Sequence, residues 1–287
     1  MKIYYAIIII KIDLKYIQYY ILNTRVNKMK IVIEDTRKTL KLATIFCHLK
    51  PFTDNVVIYL KPEGLYIQCM DDSHCALFEC SLAKEWFTCY EFDIKEDMPS
   101  ISVNIGMLYK VLNTREDNQT MELAHTKENE DKLDITFKGG KVCKYFELPL
   151  INVEGDVLNT DTMKETDIDL TIESKTFCDL INQLLIFDEV LTLTFNEDKI
   201  DMKSSGNDGS MKVDMKIDDI KEYAIAEGST LVQSYSLKYI QMMCQFNKLA
   251  VEMSMGFSKD KPMTMKYDLL EDSYVLIHLA PKIKEDD

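Results

Sequence analysis

The chain has 287 residues, enough for two domains, and its balance of 46% apolar and 29% charged residues is that of a globular protein rather than a disordered one. A formal net charge of −14 excludes non-specific attraction to nucleic acid over the whole surface and leaves only a local basic patch for such a role. The eight cysteines are irregularly spaced and contain no CxxC pair, so they read as reduced, mostly buried thiols rather than a disulfide framework.

In chain order, residues 1–28 stand apart. The apolar run from Ile3 to Ile10 is far shorter than the roughly 20 residues of a membrane span. Tyr19 to Leu22 supply no small-residue cleavage site. A second "MKI" at Met29 predicts that translation starts there and that 1–28 is a leader; an anchor for a membrane or partner is the alternative reading. Leu42, Ile45, Phe46 and Leu49 then form a helical stripe. The stretch Asn55–Leu82 alternates with period two through three strands, with Val56, Ile58 and Leu60 on one face. A second helix, "SVNIGMLYKVL", is expected to start at Ser102 as N-cap, followed by strands "TMELAHT" and "KLDITFK".

Periodicity lapses and acids gather over 148–165, which reads as a connector. The same order then returns. Phe177, Leu180, Ile181 and Leu184 form a stripe, and Glu189–Ile217 holds three strands with Leu191, Leu193 and Phe195 on one face. A helix is expected from Ser234, then strands "AVEMSMG" and "PMTMKYDLL". A duplicated unit of this length is too long for a solenoid repeat. It predicts two similar α+β domains, 29–147 and 166–287.

One stretch concentrates chemistry. "CMDDSHC" places Cys69, Asp71, Asp72, His74 and Cys75 within seven positions. Structural zinc draws four ligands, usually from two short-spaced pairs, and no second pair follows. A magnesium site would need further carboxylates or substrate phosphates. A metal-dependent nuclease using Asp71, Asp72 and His74 therefore stays as the alternative reading. Four histidines, His48, His74, His125 and His278, are a thin supply of general bases. No P-loop, GxGxxG or Ser-His-Asp order is present. His48 reads as structural, and Met242, Met243, Met253 and Met255 as core.

Several motifs carry a resemblance. "GLYIQCMDDSHCALFECSL", "SVNIGMLYKVL", "YSLKYIQMM" and the terminal "HLAPKIKEDD" resemble, in order, segments of the proliferating cell nuclear antigen family of DNA sliding clamps. The resemblance covers Met29 to Asp287 and leaves 1–28 without a counterpart, and the divergence elsewhere points to a viral or protist lineage. It implies a homotrimeric ring of two clamp domains per chain, with helices on the inner face of a curved antiparallel sheet and duplex DNA threaded through the hole. It implies a processivity factor, not an enzyme, with no cofactor, no metal and no membrane.

The partners it implies are DNA polymerase, clamp loader, flap endonuclease and ligase, bound through short peptide motifs, in the nucleus or at a cytoplasmic replication site for a virus. The implied partner pocket gathers Met70, His74, Leu77, Val157, Leu158, Pro262, His278, Ala280 and Pro281, with His278 in place of a larger aromatic residue. The implied DNA-facing lysines are Lys38, Lys41, Lys50, Lys110, Lys175, Lys238 and Lys248. The implied trimer edges are Lys141–Leu148, with Val142 and Tyr145, and Ser210–Ile217, with Met211 and Val213. Glu197 stands where the family often carries a lysine used for modification, with Lys199 nearby, which puts ubiquitin-type regulation in question.

Overall fold

The computed structural model describes residues 27–93, 99–153, 155 and 157–282. Residues 1–26 of the expected leader 1–28 and the acidic end of the chain lie outside them. Strand β1 (Asn27–Ile33) begins two residues before Met29 and leads into helix α1 (Thr36–Leu49). Asp35 starts that helix by accepting the Arg37 N–H at 2.8 Å and the Lys38 N–H at 3.3 Å. The stripe Leu42, Ile45, Phe46 and Leu49 is buried on the underlying sheet. Strands β2 (Asn55–Lys61), β3 (Gly64–Met70), β4 (Ala76–Ala83), β5 (Cys89–Phe92) and β6 (Ser100–Asn104) follow, then helix α2 (Ile105–Leu112). Strands β7 (Thr120–Thr126), β8 (Lys132–Lys138) and β9 (Lys144–Pro149) complete the first half.

The second half repeats this order element for element. Strand β10 (Ile168–Glu173) and helix α3 (Ser174–Leu184) precede β11 (Val190–Phe195), β12 (Lys199–Gly206), β13 (Gly209–Lys216), β14 (Glu222–Ile225) and β15 (Leu231–Ser236). Helix α4 (Leu237–Cys244) and strands β16 (Glu252–Phe257), β17 (Met263–Leu270) and β18 (Ser273–Leu279) end it.

Several expectations change. Both second helices start two residues later than their serines suggested as N-caps, because Ser102 and Ser234 are strand residues of β6 and β15. Ile101 and Val103 alternate with Ser102 and are buried against β2, so the strand claims them before Asn104 caps α2 by accepting the Met107 N–H at 3.0 Å. In α3 the buried face is Phe177, Cys178, Ile181 and Leu184, and Leu180 is only half-buried. The edge expected over Lys141–Leu148 is a strand only from Lys144, so Val142 lies in the preceding loop. Of the cysteines, Cys80, Cys178 and Cys244 alone are buried and Cys143 is exposed, so "mostly buried" fails; all eight are free thiols.

The sheets restate the duplication. The first half contributes a five-stranded sheet, β5-β1-β7-β8-β9, and the second a four-stranded one, β13-β12-β11-β15. Between them runs a nine-stranded sheet, β14-β10-β16-β17-β18-β4-β3-β2-β6, in which β18 of the second half pairs with β4 of the first. Five strands of one kind plus four of the other thus make the central sheet, and the outer sheets are its two parts left apart. Phe246, just past α4, crosses the joint: its ring centroid lies 5.4 Å from that of Phe78 and 6.4 Å from that of Phe52. One large apolar core runs through both halves, and Val57, Tyr59 and Tyr66 form a small separate cluster.

Candidate functional site

The loop between β3 and β4 is built around Asp71. Its Oδ1 accepts the N–H groups of Cys75 at 2.8 Å and Ala76 at 2.6 Å. Its Oδ2 accepts the Ser73 N–H at 3.1 Å and the Tyr239 hydroxyl of α4 at 2.6 Å. The carboxylate is therefore occupied by four donors, and His74 turns outward in a left-handed conformation, φ 56°. Asp72 and His74 are exposed. Among the described residues no group of three or more His, Cys, Asp or Glu side chains could hold a metal ion. The density of ligand-type residues in this loop is explained by a turn that pins one half of the chain to the other.

Burial pushes the Asp71 carboxyl up, but the Tyr239 hydroxyl and the three N–H donors outweigh it and hold the group below its ordinary value. A folded-state pKa below the unfolded one gives stability that is complete above the unfolded value and is lost as pH falls through the folded value. Asp71→Asn is expected to cost about 1–3 kcal/mol at neutral pH. In urea titrations the gap between wild type and variant should close on acidification; a gap independent of pH would deny the carboxylate this part.

The expected docking residues do gather at one end of the central sheet. Met70 faces Leu77 across β3 and β4, and Leu77 faces His278 across β4 and β18. Met263, next to Pro262, faces Leu279, and the Ala280 N–H donates to the Cys75 carbonyl at 2.9 Å. Val157 and Leu158 of the connector are 37% and 45% exposed, and Leu158 is tied to the same face through Gln68. Pro262, Ala280 and Pro281 are half-buried around it.

His278 departs from its expected place. It is 2% exposed and its Nε2 lies 2.6 Å from Oε1 of Glu79, itself 1% exposed. A buried imidazole needs a partner, and Glu79 stands one diagonal away on β4. His278 is thus withdrawn beneath the face rather than lining it.

The basic residues expected to face DNA lie on or beside the helices. A hollow of about 460 Å³ between α1 and the end of α2 is lined by Arg37, Lys41, His48, Arg115 and Lys248, and by one acid, Asp117, which pairs with Arg115 at 3.6 Å. Burial and then the Arg37 charge lower the Lys41 pKa; burial and then the Lys248 charge lower that of His48. Like charges crowded in a chain of net charge −14 favour an anion at this face. Arg37 was missed in the sequence, although arginine is rare enough in this chain to have marked it; Arg115, its side chain 3% exposed, is engaged by Asp117 and by the Glu116 and Gln119 carbonyls. Lys50, Lys110 and Lys175 are exposed at helix ends. Lys238 is paired with Glu189 at 2.5 Å. Lys38 is drawn away, to Glu271 at 2.5 Å and the Trp86 carbonyl at 3.1 Å.

The two remaining sets of residues lie at sheet edges. Strands β9 and β13 each have one unpaired side. Tyr145 and Val142 are 69% and 54% exposed; Met211 and Val213 are half-buried and inward-facing. Lys199 is engaged by Asp201 at 2.9 Å and Asp214 at 3.8 Å, and Glu197 accepts the Gly228 N–H.

Comparison with known proteins agrees with this architecture. The chain is 26% identical over 263 residues to proliferating cell nuclear antigen 1 of Plasmodium falciparum, covering 85% of this chain and 94% of the relative. It is 26% identical over 235 residues to proliferating cell nuclear antigen of Chaetomium thermophilum, covering 78% and 87%. It is 24% identical over 232 residues to a DNA polymerase sliding clamp of Pyrococcus abyssi, covering 81% and 90%. Residues 42–280 match the sequence profile of the Rad9 family, and with the duplicated clamp fold this makes the chain a member of the Rad9/PCNA-type clamp family.

Proposed function

We propose that the chain is a DNA sliding clamp that closes as a head-to-tail homotrimer around duplex DNA and tethers replication and repair enzymes. The observation that carries this reading is an asymmetry of burial between equivalent positions. At the joint inside the chain, Ile45, Phe78, Cys80, Leu82 and Ile277 are each 1% exposed or less. Their counterparts in the other half, Leu180, Met211, Val213, Met215 and Phe146, are only half-buried. Covering them with a second copy completes a sheet of the kind already present, since a five-stranded part meets a four-stranded one. Repeated head to tail, such a heterologous contact closes as a ring. It also removes two open edges, which are otherwise templates for aggregation.

The basic helix hollow then faces the DNA, and the connector end of the central sheet takes short peptides from polymerase, clamp loader, flap endonuclease and ligase. A eukaryotic clamp would work in the nucleus. The match to the Rad9 family favours one other reading, a clamp-fold accessory factor that does not encircle DNA.

Two measurements on the full chain separate these readings. Light scattering is expected to give the mass of three chains. After loading, the protein should be retained on circular duplex and lost from linear duplex. Retention on neither, by a trimer or by a monomer, favours the accessory reading. Neutralising Lys41, Lys110 and Lys248 together should flatten the salt dependence of loading, by roughly one unit of log–log slope per lost phosphate contact. An unchanged slope places those lysines away from DNA.

A further inference from the structure

The connector does not simply span the gap between halves. It lies on the outer face of the central sheet, and the sheet's backbone and side chains hold its backbone. Ile151 N–H donates to the Ser102 carbonyl at 2.9 Å. The Tyr59 hydroxyl donates to the Gly155 carbonyl at 2.9 Å. The approach is close enough that a Cβ on Gly155 would stand 2.5 Å from the Tyr59 oxygen. Gln68 bonds twice to one residue: its Oε1 accepts the Leu158 N–H at 2.7 Å and its Nε2 donates to the Leu158 carbonyl at 3.0 Å. An amide side chain used this way stands in for a neighbouring strand.

The amide has only one orientation that serves. Its Nε2 also donates to the Tyr66 hydroxyl at 3.0 Å. That hydroxyl can accept because its own proton goes to Glu79 Oε2 at 2.8 Å. Glu79 is buried and ionised: burial pushes its carboxyl up, but bonds from His278, Tyr66 and the connector's Thr160 hold it below its ordinary value. An acceptor-only carboxylate at the end of the relay fixes the direction of every donor before it. Reversing the Gln68 amide would set its oxygen against the Tyr66 oxygen and the Leu158 carbonyl. The relay thus runs from His278 on β18, through Glu79 on β4 and Tyr66 and Gln68 on β3, to the backbone of the connector.

We propose that Gln68, oriented by Tyr66 and the Glu79–His278 pair, is the positioning residue that latches the connector and holds Leu158 outward for partner docking. This rests on the docking reading above. The side chain of Leu158 is free to face a partner because its backbone is satisfied from beneath. The sequence sets His278 in the pocket in place of a larger aromatic residue; the geometry gives that histidine a different part, as the buried anchor of the latch.

The test uses the full chain with Gln68→Met, which keeps length and removes every polar bond. Hydrogen exchange is read at the Leu158 amide without any partner, and a Gln-x-x-aliphatic-x-x-aromatic-aromatic peptide is titrated calorimetrically. Exchange at Leu158 is expected to rise tenfold or more, on the order of two lost hydrogen bonds. Peptide affinity should fall several-fold, while assembly mass and exchange in β11 stay unchanged. Gly155→Ala, which pushes the strap from the other side, should act in the same direction. Equal Leu158 protection in wild type and Gln68→Met overturns the latch whatever the peptide does. Lost protection with unchanged affinity overturns its link to docking. A wild-type chain that ignores the peptide overturns the docking reading, and the exchange arm then still decides whether the latch exists.

Discussion

Cysteines placed at Tyr145 and Lys212 in a Cys143→Ser background are expected to cross-link three chains into one covalent ring under mild oxidation. The register follows from the joint inside the chain. There, Leu276 of β18 faces Glu79 of β4, and Ile277 faces Phe78. Strand β9 ends inward at Leu148, opposite Leu133, as β18 ends inward at Leu279, opposite Met263. Strand β13 follows β12 from Lys216 opposite Lys199, as β4 follows β3 from Ala83 opposite Gly64. Carrying the internal register across sets Phe146 of one chain opposite Met211 of the next, and Tyr145 opposite Lys212.

A pair two residues out of register, Tyr145→Cys with Ser210→Cys, should cross-link poorly, because a disulfide tolerates Cα separations only up to about 6.8 Å. Tyr145→Pro and Val213→Pro each remove a backbone donor from these strands and should leave monomers. A ladder of cross-links that ignores register, or trimers that survive both prolines, would discard these edges as the contact.

Leu158→Ser is expected to weaken the same docking peptide by roughly thirtyfold, the equivalent of about 2 kcal/mol for one buried anchor. The residue is 45% exposed, and its carbonyl and N–H are already satisfied by Gln68, so the substitution removes apolar contact without releasing the connector. Leu158 sits on the connector, away from β9 and β13, and the assembly mass should be that of wild type. Calorimetric titration of both proteins decides it; matched affinities would take the docking face out of the account.

Much of this fold is legible in the residues. The helical stripe of α1 and the period-two hairpins of both halves are there to read, because amphipathic elements write their buried face into the sequence. The strands that escaped notice are β1, β5, β6, β10, β14, β15 and β18: β5 and β14 are short, β1, β6, β10 and β15 precede helices whose stronger period masks them, and β18 is buried on both faces and so does not alternate. Ser102 and Ser234 misled for a related reason. A serine before a helical run is a good cap in isolation, but Ile101, Val103 and Tyr235 around these serines are claimed by sheet pairing. The loop at Asp71 and the position of His278 were not legible at all. Both depend on partners far away in sequence, Tyr239 for one and Glu79 for the other, and no local pattern marks such a meeting. The same holds for Arg37 and Arg115, which converge only when α1 and the end of α2 are packed together.

The rings around Phe246 set the mechanics of the proposed assembly. Two residues beyond α4 stands Phe246; two residues beyond α2 stands Thr114. Three residues beyond α1 stands Phe52, wholly buried; three beyond α3 stands Phe187, half-buried. The seam within each chain is therefore filled by interlocking aromatic rings and crossed by the polypeptide. The seam between chains would set Phe187 beside a threonine and be crossed by nothing covalent. A closed circle of such chains would have three strong seams and three weak ones, and forced apart it would part between subunits.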